Sequence, residues 1–107
     1  MAMKTKHGVS MNGIQPELVM GLSIAEGYFN GEGISEMVVT SIVDGKHSSG
    51  SLHYVGYAAD IRIWAIASDK LASFTEGLAD ELGNEFDVVL DTDHIHIEFQ
   101  PKARGRI

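Results

Sequence analysis

Residues 94–100, HIHIEFQ, alternate between polar and apolar side chains without a break. Successive side chains of an extended chain point to opposite faces, so Ile95, Ile97 and Phe99 share one face and His94, His96 and Glu98 the other. Residues 58–64, AADIRIW, repeat the pattern, with Ala59, Ile61 and Ile63 against Asp60, Arg62 and Trp64. A helix would scatter both sets around its axis. The chain must therefore build a sheet that is apolar on one face and carries ionisable groups on the other.

Helical periodicity supplies the cover for the apolar face. Ile14, Leu18, Leu22, Ala25 and Phe29 fall at helical spacing behind Pro16, and NGEG at 30–33 stops that helix. Gly21 and Gly27 inside it cost about 1 kcal/mol each relative to alanine, so tertiary packing has to support it. Met37–Val43 is rich in β-branched residues and reads as a buried strand, followed by the loop DGKHSSGS. Ser68 is placed to cap a second helix carrying Leu71, Phe74, Leu78 and Leu82, which stops at Gly83-Asn84. Phe86–Leu90 and His94–Gln100 form a hairpin around Asp91-Thr92-Asp93. The order α-β-loop-β-α-β-β predicts an α+β domain over 1–107, a small, mainly antiparallel sheet with helices on one face and a polar site on the other.

The net charge of −7, from 15 acidic and 8 basic residues, argues against a nucleic-acid binder, which needs a basic footprint. The basic tail 101–107, PKARGRI, reads as solvated. No cysteine is present, so any metal has to be held by His, Asp or Glu. The N-terminal MAMKTKHGVSMNG has no secretion-signal run, and no stretch approaches the roughly 20 apolar residues that span a bilayer. These features predict synthesis in the cytoplasm without membrane insertion; His7, in that polar segment, reads as inert.

The stretch SLHYVGYAAD, 51–60, carries the chemistry. A helix would separate His53 and Asp60 by about 10 Å, and a single strand by about 23 Å on opposite faces. They reach one ion only if the chain turns between them, and Gly56 is the residue best suited to turn it. His96 can add a third ligand from the polar face of the last strand. Two neutral imidazoles and one carboxylate leave Zn²⁺ a net charge of about +1 and an open position, the donor set of a hydrolytic site. Asp93, three residues before His96, is placed to act as a general base, and Asp91 reads as a turn residue only.

The pattern S-x-H-x-x-G-x-A-x-D at Ser51, His53, Gly56, Ala58 and Asp60, followed by D-x-x-H at Asp93 and His96, resembles the zinc D-alanyl-D-alanine carboxypeptidase family. That family includes vancomycin-resistance D,D-peptidases and phage endolysins that cut the L-alanyl-D-glutamate bond, and it shares its fold with the hedgehog signalling domain. The resemblance covers about residues 44–98. It implies that His53, Asp60 and His96 bind zinc, that Asp93 is the general base, where many members have Glu, and that His94 assists. The family arginine upstream of the first histidine is replaced by Lys46 and His47, so Lys46 and Arg62 compete for the substrate contact, with Ser51 as a further contact. Tyr54 and Tyr57 are expected as wall or packing residues of the cleft, and Trp64 is expected to pack at its edge.

The function expected from the resemblance is zinc-dependent hydrolysis of peptidoglycan peptide stems by a monomeric phage or prophage lysis enzyme, released to the cell wall after synthesis. The rivals are a metal-binding domain without catalysis and a phage structural domain that grips wall polymer. A serine triad of Ser51, His53 and Asp60 is disfavoured, because no G-x-S-x-G elbow exists.

Overall fold

The computed structural model describes residues 2–9, 13–42 and 56–100. Five strands and two helices follow in the order β1 (Ala2–Thr5), α1 (Pro16–Gly31), β2 (Glu36–Ser41), β3 (Ala58–Arg62), α2 (Leu71–Leu82), β4 (Phe86–Leu90) and β5 (His94–Phe99). They form a small α+β structure with a mixed sheet of strand order β1-β2-β3-β5-β4. Three of its pairings are antiparallel, as the sequence predicts, and β1 adds a parallel edge to β2.

That edge strand lies in the N-terminal polar segment, for which the sequence predicts no element. Met3 registers with Met37 and Thr5 with Val39, and the Lys6 N–H donates to the Val39 carbonyl at 2.8 Å. Two further boundaries differ from expectation. β2 ends at Ser41 rather than Val43, and β3 at Arg62 rather than Trp64. A 3-10 turn over Ser68–Lys70 precedes α2, and no side-chain cap bond is made there, so Ser68 opens the turn rather than capping the helix.

Both helices lie on the apolar face of the sheet, α1 against β2 and β5, α2 against β4 and α1. Leu18, Leu22, Ala25 and Phe29 of α1 and Phe74, Leu78 and Leu82 of α2 close over Met37, Val39, Ala59, Ile61, Ile95 and Ile97 in one core. Phe99 is only half-buried, packing edgewise on Phe86 at 5.4 Å and beside Tyr57 at 5.6 Å. Gly21 explains itself here. A Cβ at that position would meet the Phe86 ring at 2.5–2.6 Å, so glycine lets β4 approach α1.

Gly56 makes the turn expected of it, with φ +83°. Its backbone is buried against Gly13 and Ile14, where a Cβ would collide with the Gly13 carbonyl, and its own carbonyl accepts from the Gln15 N–H at 3.1 Å. The entry to β3 is thereby tied to the start of α1. Gly56→Ala combines left-handed strain with that collision and should lower stability by about 1–3 kcal/mol in urea unfolding. Gly27→Ala, in open space on an exposed stretch of α1, should raise it by about 0.5–1 kcal/mol.

Candidate functional site

The face of the sheet opposite α1 and α2 is built by strand register. β3 and β5 pair so that Asp60 faces His96, Arg62 faces His94 and Ala58 faces Glu98. Between Val39 and Ser41 the β2–β3 register slips, an irregularity that inserts Thr40, whose hydroxyl donates to the Asp60 carbonyl at 3.4 Å. Such bulges re-aim neighbouring side chains. The result is a cleft of about 340 Å³ walled by Thr40, Ser41, Asp60, Arg62, Asp93 and His94, with Lys6 and Trp64 at its sides.

At its floor, Asp60 is 8% exposed. Its Oδ1 lies 2.9 Å from His96 Nδ1. The other ring nitrogen, Nε2, lies 2.8 Å from Glu98 Oε1, and Glu98 is in turn held by the Gln100 amide at 2.7 Å. If Nε2 donates to Glu98, Nδ1 presents a lone pair to the Asp60 carboxylate. Two acceptors at that distance need a cation between them. A proton serves in the metal-free protein, and the hydrogen bond to Asp60 raises the His96 pKa to about 9 against partial burial, with Glu98 helping.

A metal ion can replace that proton. A ligating histidine ordinarily donates its other N–H to a carboxylate, which fixes the tautomer and strengthens the ligand, and Glu98 stands in that position. Asp60, Asp91, Asp93 and Glu98 face two fixed cations, Arg62 and Lys6, so this part of the surface favours a positive guest. The donor chemistry of Asp60 and His96 therefore fits zinc. Among the described residues alone, no three His, Asp or Glu groups are arranged to complete a metal site. The expected third ligand, His53, lies outside the described residues, as do Ser51, Lys46, His47 and Tyr54.

The hairpin turn assembles a second cluster beside the first. The Asp91 N–H donates to the His94 carbonyl at 2.8 Å, closing the turn and folding both its acids against the His94 ring. Asp93 Oδ1 is 2.7 Å from Nδ1, Asp91 Oδ2 is 3.1 Å from Nε2, and Asp60 Oδ1 is 3.4 Å from Nε2. Asp91 is therefore more than a turn residue. Asp93 contacts His94 and stands 82% exposed at the cleft rim, while His94 joins it to Asp60.

Arg62 lies on this face as predicted, its guanidinium stacked 3.7 Å from the Trp64 ring centroid. Trp64 is 77% exposed, an open wall rather than a packed edge. Sequence reasoning missed the roles of Glu98, Lys6 and Asp91. For Glu98 the signal was present, two residues from His96 on the same strand face. Lys6 had none, because its place depends on a parallel edge pairing. No helix among the described residues is long and apolar enough to cross a membrane. No protein-family model matches the chain, and comparison with curated proteins finds no match.

Because the folded-state pKa of His96 lies above the ordinary 6.5, the pair's contribution to stability is fully present below about pH 6.5 and is lost as pH rises through about 9. NMR titration of the metal-free protein should place the His96 midpoint near 9. Asp60→Asn should bring it down further than Glu98→Gln, since the Asp60 bond is the larger cause. A midpoint near 6.5 in the unaltered protein would contradict the geometry.

Proposed function

We propose that the protein is a zinc-dependent peptidase of bacterial peptidoglycan, with the hedgehog/D,D-peptidase fold and the metal held by His53, Asp60 and His96. The observation that carries this reading is the Asp60–His96 pair at 2.9 Å, backed on Nε2 by Glu98. Added support comes from Gly56, whose turn stands between His53 and Asp60 where the spacing requires one. The substrate class follows from the resemblance of 51–60 and 93–96 to the D-alanyl-D-alanine carboxypeptidase family.

Zinc, when bound, supplies a Lewis acid that polarises the scissile carbonyl. The remaining steps belong to the chain's own side chains. Asp93, at the open rim, removes a proton from the attacking water as its oxygen adds to the carbonyl carbon. It returns that proton to the amine nitrogen as the C–N bond breaks. His94 holds the Asp93 carboxylate through the 2.7 Å contact and links it to the floor of the cleft. Arg62, set over Trp64, directs N–H donors toward a substrate carboxylate or the developing oxyanion.

Digestion of purified peptidoglycan should release new amino groups, and a chelator should stop it. Mass analysis of the fragments separates loss of D-alanine from exposure of N-terminal D-glutamate. Asp93→Asn should lower turnover by about 10²–10⁴-fold while metal content is kept. His53→Ala should lose both metal and activity. Metal retention with no cleavage of any stem peptide would favour the non-catalytic metal-binding domain, and chelator-resistant cleavage by His53→Ala would exclude the zinc mechanism.

A further inference from the structure

The Arg62–Trp64 stack is a partition. On one side lies the cleft containing Asp60, Asp93 and His94, and on the other a second cleft of about 420 Å³ that shares Arg62 and Trp64 as its wall. The second cleft has an apolar side, formed by Phe29, Ile34 and Val38, and a polar rim at Ser35 and Glu36. Glu36 already has a cation near it, Lys4 at 3.7 Å, and the Arg62 guanidinium is stacked on the indole. The lining carries one acid, Glu36, and one base, Arg62, so the cleft selects no net charge in its guest.

Trp64 is the chain's single tryptophan. At 77% exposure it carries apolar surface that the fold does not bury, and the guanidinium against its ring restrains its orientation. An aromatic plate beside a hydroxyl and a carboxylate suits a ligand with an apolar face and a polar edge. A pyranose ring has that construction, with axial C–H groups on its faces and hydroxyl and amide groups around its rim.

We propose that the second cleft binds one neutral amino-sugar ring of the glycan strand, stacked on Trp64, while the peptide stem attached to that strand enters the neighbouring cleft. The inference rests on the peptidase reading and sharpens it. The clefts share a wall, so the bond presented for hydrolysis lies close to the sugar. That selects the L-alanyl-D-glutamate bond, near the glycan end of the stem, over the terminal D-alanine.

Fluorescence of the lone tryptophan reads the binding step without turnover. Titration with N,N′-diacetylchitobiose, a neutral amino-sugar disaccharide that carries no stem, should change the emission saturably, with or without chelator. Trp64→Ala should raise KM about tenfold more for a glycan-linked stem than for the same stem as a free peptide, and Trp64→Phe should restore most of the difference. Silence of the fluorescence titration, or equal effects of Trp64→Ala on the two substrates, would overturn the proposal. Were the unaltered protein to cleave neither substrate, the peptidase reading would fail, and the disaccharide titration would still decide whether the cleft binds sugar.

Discussion

Asp60 and His96 meet across two paired strands at 2.9 Å, and the face of the sheet opposite α1 and α2 is organised around that contact. A carboxylate as buried as Asp60 is unfavourable unless a cation compensates it. The cation is a proton on His96 in the metal-free protein and, in the function proposed, a zinc ion. Its position depends on the apolar face behind it. Ile61 and Ile95, both fully buried, are the next pair along the strands, and a slip of one residue would turn these isoleucines out and the ionisable groups in.

Around this pair, local backbone features place the other groups. The turn at Gly56 ties the start of β3 to the start of α1. The irregularity at Thr40 brings β2 against the Asp60 backbone. The tight hairpin sets Asp91 and Asp93 on either side of the His94 ring. Asp60 Oδ1 lies within 3.4 Å of both histidines, so the floor and rim of the cleft are one electrostatic unit. A change of charge at the floor is felt by the His94–Asp93 pair.

The parts legible in the sequence were those governed by periodicity. β3 and β5 alternate so strictly that the assignment of each side chain to a face could be read directly, and α1 and α2 follow from spaced apolar residues ending at glycine. β1 was not legible. Its four residues, AMKT, are too few to show a period, and a parallel edge pairing leaves no turn signal in the chain. The 3-10 turn at Ser68–Lys70 was hidden because serine before an apolar run also suits a helix cap. Within the site, the residue types and the face were readable, but not the partners. The contacts of Asp91 with His94 and of Glu98 with His96 are made by side-chain rotamers, which a spacing rule does not specify.

In the function proposed, zinc takes the place of the cation that Asp60 and His96 share. Calorimetric titration of the metal-free protein with Zn²⁺ at pH 8, repeated in buffers of different ionisation enthalpy, counts both the metal bound and the proton released. One zinc per chain, release of the His96 proton on binding, and loss of the binding in Asp60→Asn are expected. Zinc uptake without proton release, or uptake undiminished in Asp60→Asn, would contradict that exchange.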